Sequence, residues 1–354
     1  MRNRCRNRQV KPAFSKWFPA ERGEQRMAGR VTMADIAEMA GVTKSTVSRY
    51  FNGGYVKEET REKIRKAAKA HGYSPNTFAR LKARESGMVG VVVPSLNSKI
   101  SSRVITSIDR YLREEGYETL IKNSDHQIQL ELDNIRRLMS LNVDGILISS
   151  ISIVEEHREL IRNSPVPVVV LAQEYPEGIS VVDDDYQAGF VMGQYVGRTN
   201  PKHTAYLSVT EEDQAVGVVR RRGVLDGLKS CGVENVRVLI GDYSYESGQN
   251  MTGQLLEEGP ADAIICATDR LAFGAYRVLH DRGLSIPDDV SVAAFGGYDE
   301  SSLLTPRLTT VKFDSYAVGY LGAETLLKCI RREPVPKKQV VGFQLIEGES
   351  VRLL

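Results

Sequence analysis

The sequence predicts an α/β protein in two parts: a small all-α helix-turn-helix head and a two-lobed body of parallel, doubly wound sheets. The segment from Val31 to Tyr50 has the spacing of two short helices joined by a sharp turn. Residues 1–88 carry 20 Lys and Arg against 8 Asp and Glu, whereas residues 89–354 carry 27 against 37. In the second part, short apolar runs alternate with helix-length amphipathic segments, which is typical of parallel sheets.

The head has the residues that a tight pair of helices requires. Two short helices that meet at a sharp angle need a small residue at their contact and a turn residue that tolerates positive φ. Ala37 and Gly41 supply these, and Thr43 is expected to cap the second helix. An ordinary αα-hairpin with a solvated outer face is the alternative. The apolar anchors on the inner faces are Ile36, Val42 and Val47.

The outer face of the second helix is polar and lies opposite its apolar anchors. Such side chains can reach base edges in the major groove of DNA. The net charge of +12 over residues 1–88, against −10 over the remainder, is typical of a nucleic-acid-binding module joined to a different domain. A basic membrane arm is disfavoured because the apolar residues form a compact core pattern. The predicted DNA contacts on this helix are Lys44, Ser45, Thr46, Ser48 and Arg49.

Residues 1–30 are charged and are interrupted by Pro12 and Pro19, which predicts a disordered extension without a signal-peptide core. Met27 lies just before the helix pattern and is a candidate start of translation. No run of about 18 apolar residues predicts a membrane helix. The four cysteines are widely spaced and the five histidines are scattered, so we expect reduced thiols and no metal site. These features predict a cytoplasmic protein without a cofactor.

The body consists of apolar strands separated by helices, which implies parallel sheets covered on both faces. Roughly 265 residues is long for one hydrophobic core, so two sheets side by side are expected. Ligands of such folds bind beyond the carboxyl ends of the strands, here between the two halves. The predicted strands are 88–94, 117–122, 144–150, 166–172, 204–209, 236–241, 261–267 and 290–295. The predicted helices are 102–115, 127–141, 217–231, 245–258 and 270–283.

Motifs of common enzyme classes do not occur in the sequence. It contains no GxSxG elbow, Walker A loop or HExxH pair, and no GxGxxG follows the first strand. Asp183, Asp184 and Asp185 have suitable side chains for a metal, but consecutive residues point in different directions. Carboxylates are also favourable where a loop leads into a helix N-terminus. We therefore expect a binding protein and not an enzyme.

Longer motifs extend the helix pair into a family pattern. VTxxDIAxxAGVxxSTVSRxxN, followed by VxxETR, GYxPN and AR, resembles the lactose-repressor (LacI) family of bacterial transcription regulators. DNIRRLMSLNVDGILI, VVDDDYQAG and CATDRLAFGAYRVLHDRGLSIPDDVSV resemble the family's effector-binding domain, which is related in fold to periplasmic sugar-binding proteins. The resemblance implies a helix-turn-helix domain over 31–76, a hinge over 77–87 and an effector-binding and dimerisation domain over 88–354.

This resemblance implies a transcription regulator, most simply a repressor. Its affinity for palindromic operator DNA would change when a small sugar or sugar phosphate binds between the lobes. A homodimer or larger assembly follows, because a two-fold dimer doubles a site that one head reads over too few bases. The residues do not decide which sugar binds, or whether it releases or promotes DNA binding. A sugar-binding sensor or enzyme with a vestigial head is the alternative.

The resemblance also implies residues of the effector site. Arg220 matches an arginine that grips ligand hydroxyls or a carboxylate, although a solvated helix start is the alternative. Gly296 stands where the family places a ligand aspartate, so Tyr298 or Asp299 is expected to substitute. The sequence FGGY resembles regulators of sucrose uptake, which favours a sugar over a purine. The predicted effector-binding residues are Ser95, Arg220, Asp269, Tyr298 and Asp299.

Two departures from the family pattern affect the DNA side. Lys57 stands where a serine is usual, and we expect it to contact a phosphate. Leu81 directly follows Arg80, one residue earlier than in the family, whose hinge leucines wedge into the minor groove. This shift turns the side chain by roughly 100° around a helix, so either the hinge register adjusts or the wedge is altered. The other predicted DNA contacts are Thr32, Asn52, Asn76 and Arg80.

Overall fold

A computed structural model describes residues 31–51, 54–73 and 86–352. Contacts within the chain separate residues 1–77 from residues 78–354. Several predictions fall outside the described residues and stay predictions: the disordered extension over 1–30, most of the hinge, and the DNA contacts Asn52, Asn76, Arg80 and Leu81.

The head contains the predicted helix pair and the third helix that follows it. Thr32 caps the first helix in a capping box, in which its backbone N–H donates to the Asp35 carboxylate at 2.7 Å. The turn passes through Gly41 with φ of +66°, as expected. The Thr43 hydroxyl accepts a hydrogen bond from the amide of Thr46 at 3.3 Å, which confirms its capping position. The helices are α1 (Met33–Met39), α2 (Lys44–Phe51) and α3 (Glu58–Ala70).

A small apolar core holds these three helices together. Ile36 of α1, Val47 of α2 and Ile64 of α3 are fully buried and contact one another within one cluster. Ala37 is buried at the contact between α1 and α2, while Val42 is half-buried beside it. Because α2 turns Val47 towards this core, its opposite face is left to solvent.

The body contains two six-stranded sheets, one in each lobe. The N-lobe sheet has the order β11-β5-β4-β3-β1-β2, and all its pairings are parallel. Its strands are β1 (Met88–Val93), β2 (Glu118–Asn123), β3 (Gly145–Ser149), β4 (Val168–Leu171), β5 (Ser180–Asp183) and β11 (Lys338–Val341). The C-lobe sheet has the order β12-β10-β9-β8-β6-β7 and is parallel except for the antiparallel β10–β12 pair. Its strands are β6 (Thr204–Val209), β7 (Val236–Gly241), β8 (Ala263–Cys266), β9 (Ser291–Phe295), β10 (Thr309–Phe313) and β12 (Phe343–Ile346).

Helices cover the faces of these sheets, as the alternating pattern predicts. A π-helical turn over Gln214–Arg220 leads directly into one of them. None of the helices among the described residues is both long and apolar enough to cross a membrane. The N-lobe helices are α4 (Lys99–Glu114), α5 (Ile128–Ser140), α6 (Glu155–Arg162) and α11 (Ser315–Ile330). The C-lobe helices are α7 (Asp185–Gly197), α8 (Arg221–Ser230), α9 (Tyr245–Glu258) and α10 (Asp269–Asp281).

The chain crosses between the lobes at three places. It passes from β5 to α7 through Asp184, from β10 to α11 through Asp314, and from β11 to β12 through Gly342. Two of the crossings touch, since the amide of Asp184 donates to the carbonyl of Val341 at 3.1 Å. Residues beside these crossings therefore lie where the two lobes meet.

Glycines bring α7 and α8 into backbone contact. A side chain at Gly193 would overlap the carbonyl of Val224 and lie 2.9 Å from the amide nitrogen of Leu228. Gly189 and Gly227 approach the facing helix equally closely. Because no side chain separates the two backbones, the start of α7 lies directly beside the end of the π-helical turn.

Candidate functional site

A cavity of about 500 Å³ lies between the two lobes, at the carboxyl ends of the strands. This is the position expected for a ligand of parallel sheets. The N-lobe contributes residues at or just after the ends of β1 to β5, and the C-lobe contributes residues at or after the ends of β6 to β10. The side chains discussed below that line it are Ser95, Lys99, His126, Gln173, Asp183, Asp185, Asp213, Arg220, Tyr243, Arg270, Phe273, Phe295, Tyr298, Glu300 and Phe313.

Arg220 is buried at the floor of the cavity and is paired with Asp185. Its Nε and Nη2 atoms donate to Asp185 Oδ1 at 2.8 and 2.6 Å, and Nη1 donates to the carbonyl of Ala267 at 2.9 Å. The guanidinium carbon lies 5.1 Å from the ring centroid of Phe295 and 4.8 Å from that of Phe313. The interpretation of Arg220 as a solvated helix start is therefore wrong, and the close contact of α7 with α8 explains why this pair forms.

Asp213 links the two lobes from the C-lobe side. Its carboxylate accepts hydrogen bonds from Gln173 Nε2 of the N-lobe at 3.0 Å and from the hydroxyl of Tyr243. It also caps the π-helical turn through the amide of Val216 at 2.9 Å. The ring of Tyr243 stacks on His126 of the N-lobe with centroids 5.6 Å apart. This wall of the cavity is therefore built from both lobes.

Asp269 lies behind the cavity and fixes the loop that follows β9. Its carboxylate accepts from the amide of Tyr298 at 2.8 Å, from the hydroxyl of Ser301 at 2.7 Å and from the hydroxyl of Thr310. Gly296 has φ of +142°, and a Cβ there would lie 2.8 Å from the ring of Tyr298. A larger residue at Gly296 would displace that ring from the cavity.

Asp183 ends β5 and projects a carboxylate at the cavity. Its Oδ1 atom is buried and has no hydrogen-bond partner among the described residues. Burial, with the nearby carboxylates of Asp185 and Asp314, raises the pKa of Asp183 to about 7, against the opposing charge of Arg220. An unpaired carboxyl group at a ligand cavity is a candidate binding group.

A second set of interlobe contacts closes the opposite side of the cavity. Arg103 of α4 donates to the carbonyl of Gly297 at 3.2 Å and lies 3.4 Å from the carboxylate of Asp299. Lys99 forms an ion pair with Glu300 at 2.9 Å. The loop that carries Tyr298 is therefore bonded to the N-lobe directly.

The predicted effector residues separate into two groups. Ser95, Arg220 and Tyr298 line the cavity. Asp269 is fully buried behind it, and the side chain of Asp299 is 88% exposed outside it. Sequence reasoning missed Asp213, Gln173 and Tyr243, which carried no motif. It noticed Asp183 and Asp185 only as a metal candidate, and no group of three or more metal-binding side chains is arranged around an ion position within the described residues.

The outer face of α2 presents the predicted DNA-reading residues. Lys44, Ser45 and Arg49 are exposed, while Thr46 and Ser48 are half-buried. Ser45 and Arg49 stand one turn apart, opposite the buried Val47. The exposed Thr32 hydroxyl is engaged in the α1 capping box, and Lys57 is exposed at the start of α3.

The cations of α2 differ from most of those of α3 in their partners. Lys63 and Arg65 of α3 form ion pairs with Glu59 and Glu62 at 2.8 and 2.7 Å. Lys44, Arg49 and Lys57 form no ion pair with any residue that the structure describes. These three positive charges, and that of Lys69 at the end of α3, are thus left to an external anion.

The fold and the cavity define a two-lobed ligand-binding protein of the periplasmic-binding type, joined to a helix-turn-helix head. Residues 32–76 match the bacterial regulatory proteins of the lacI family, and residues 86–345 match the periplasmic binding proteins and sugar binding domain of the LacI family. The chain belongs to the LacI family. It is a DNA-binding transcription regulator with a sugar-binding type of effector domain, as the resemblance implied.

Curated relatives span almost the whole chain. The catabolite control protein A of Priestia megaterium is 33% identical over 86% of this chain and 94% of its own length. The regulator GntR of Escherichia coli K12 is 30% identical over 91% of this chain and 99% of its own length. The sucrose operon repressor of Staphylococcus xylosus is 29% identical over 88% of this chain and 98% of its own length.

Solved structures share the same architecture. The lac repressor dimer bound to operator and the anti-inducer ONPF superposes with a TM-score of 0.83 at 25% identity, over 91% of this chain and 99% of that chain. The complex of the transcriptional regulator CelR with cellobiose gives a TM-score of 0.69 at 26% identity, over 91% of this chain and all of that chain.

Proposed function

We propose that this protein is a cytoplasmic, homodimeric repressor that binds a palindromic operator and responds to a small sugar in the interlobe cavity. The observation that carries the DNA-binding part is the set of unpaired cations on the exposed face of α2. The structural relative bound to operator is a dimer, which supports two-fold binding here. No enzymatic role is proposed, because the relatives are transcription regulators.

The ligand is proposed to act by changing the relative orientation of the two lobes. Contacts from Asp213 and Arg103 join the N-lobe to the C-lobe on both sides of the cavity. A ligand that prefers one relative orientation of the lobes would shift the population of that orientation by its differential affinity. We infer that this shift changes the spacing of the two heads in the dimer.

A gel shift on the protein's own upstream DNA, with and without a panel of sugars, tests the proposed function. We expect a specific complex with the stoichiometry of a dimer, and at least one sugar that changes its stability. A chain that binds this DNA no more tightly than unrelated DNA of equal length would support the alternative of a sensor with a vestigial head.

Arg49→Ala is expected to weaken specific operator binding by roughly 1–3 kcal/mol, because Arg49 is exposed on the face of α2 that we propose enters the major groove. Binding to non-specific DNA should change less. Lys63→Ala is the matched control, since Lys63 is engaged by Glu59. Titrations of operator and non-specific DNA at the same salt concentration measure both affinities. An equal loss of affinity for the two DNAs would show that Arg49 does not read bases.

Tyr298→Ala is expected to weaken sugar binding by about tenfold or more, because the ring lines the cavity and the backbone that carries it is held by Asp269. Asp299→Ala is the comparison on the same loop, and we expect a smaller loss because its side chain lies outside the cavity and contacts Arg103 at 3.4 Å. Isothermal titration with the sugar found in the panel measures both. A loss in Asp299→Ala with none in Tyr298→Ala would transfer the binding role to Asp299.

A further inference from the structure

The charges around the cavity are distributed unevenly. Three cations line it: Arg220 at the floor, and Lys99 and Arg270, both exposed. Arg220 donates three of its five N–H groups to Asp185 and the carbonyl of Ala267. Its charge is therefore compensated before any ligand arrives. Lys99 is likewise compensated by Glu300 at 2.9 Å.

The acidic side chains of the cavity are less completely compensated. Asp213 accepts from three donors, and Asp185 accepts from Arg220. Asp183 has a buried oxygen without a hydrogen-bond donor among the described residues. The described groups that act on it electrostatically are Asp185, Asp314 and Arg220. Among the described residues, the buried part of the cavity thus offers an acceptor in need of a donor and a cation that is already paired, whereas the exposed Arg270 has no ion pair.

We propose that the cavity takes an uncharged, hydroxyl-rich ligand, an unphosphorylated sugar, and that Asp183 accepts hydrogen bonds from its hydroxyl groups. This inference rests on the proposed function and narrows it. A hydroxyl group supplies the donor that Asp183 Oδ1 lacks. A phosphate or carboxylate at the same place brings Asp183 Oδ1 no hydrogen-bond donor and finds Arg220 already paired with Asp185.

The apolar part of the lining is consistent with this ligand. The ring of Phe273 meets that of Tyr298 at 6.3 Å between centroids, and Phe295 and Phe313 flank Arg220. Such rings cover the C–H faces of a sugar while a few polar groups fix its orientation. A highly hydrated anionic group gains nothing from these rings.

Isothermal titration of the full chain without DNA tests the proposal with matched pairs. The probes are glucose and glucose 6-phosphate, fructose and fructose 6-phosphate, and sucrose and sucrose 6-phosphate, with further neutral mono- and disaccharides, polyols and inorganic phosphate. We expect at least one neutral sugar to bind, and the phosphorylated form of each such sugar to bind at least about 100-fold more weakly where the pair exists. A phosphorylated sugar that binds as tightly as its parent would overturn the proposal. Failure of every neutral probe would overturn it as well.

Asp183→Asn tests the residue itself. We expect about a tenfold or greater loss of affinity for the neutral sugar and a smaller discrimination against its phosphorylated form. Asp314→Asn is the matched control, since Asp314 is a neighbouring acid that is exposed outside the cavity, and asparagine also caps α11. Unchanged affinity in Asp183→Asn, with the thermal midpoint retained, would remove Asp183 from the site.

The two proposals fail separately. Sugar binding is measured here without DNA, so an anion-selective cavity would leave operator binding intact. Tight phosphate binding that is lost in Arg270→Gln would place an anion at that exposed arginine and contradict the neutral ligand. A normal sugar preference in a chain that does not bind operator would contradict only the DNA-binding function.

Discussion

Asp185→Ala is expected to lower the free energy of unfolding by about 3–5 kcal/mol, because it leaves the Arg220 guanidinium buried without its counter-charge. The carbonyl of Ala267 and the two phenylalanine rings do not replace a carboxylate. Urea denaturation at pH 7 measures the loss. Glu349→Ala provides an exposed control, since the Arg307–Glu349 pair lies at the surface and contributes at most about 1 kcal/mol.

The double variant Asp185→Leu with Arg220→Met separates the cost of an unpaired charge from the value of the pair. Apolar side chains of similar volume can replace a buried ion pair with little loss of stability. We expect this double variant to recover most of the stability while losing sugar binding. A single Asp185→Ala variant as stable as the native protein would show that the pair contributes nothing to folding.

Gly193→Ala is expected to destabilise the protein by about 3 kcal/mol, because the added methyl group overlaps the backbone of α8 and forces the helices apart. Separation of α7 from α8 also draws Asp185 away from Arg220, so sugar binding should fall with stability. Gly253→Ala is the control, for which we expect a change in stability of opposite sign. Gly253 lies in α9 with no atom within 4 Å of an added Cβ, and alanine there should stabilise the helix by up to about 1 kcal/mol.

Thermal and urea unfolding of the two glycine variants give the comparison directly. The two variants make the same substitution, glycine to alanine within a helix, yet they should change stability in opposite directions. Equal shifts in both variants would mean that the close contact between α7 and α8 is relaxed in solution, and that helix propensity alone determines the outcome.

The head could be read from sequence because its requirements are local. Gly41 adopts the positive φ that the turn demands, Thr43 caps α2, and Ile36 and Val47 meet in the core. Each of these follows from spacing along some twenty residues. The eight strands predicted in the body were also confirmed, since continuous apolar runs between helices leave few other arrangements.

The elements that sequence reasoning missed have weak local signals. Strands β5, β11 and β12 have four residues each and β10 has five, and all four depend on their neighbours in the sheets. Helix α6, with eight residues, was missed as well. Helices α7 and α11 carry apolar residues or glycine around most of their circumference, so they show no clear amphipathic period. The return of the chain through three crossings was also beyond a local pattern, because strands that pair in one sheet can be far apart in sequence.

The sequence by itself determined the class of this protein: a basic helix-turn-helix head, a body of alternating strands and helices, and a cleft at the strand ends. Local spacing and charge are enough for these, since each element repeats a short-range physical rule. Only the tertiary structure decided the chemistry of the cleft. It paired Arg220 with Asp185, 35 positions away in sequence, and placed Asp269 behind the wall. It also left Asp183 Oδ1 without a hydrogen-bond donor from the part of the chain that the structure describes, because partners in a buried site are set by packing between distant segments.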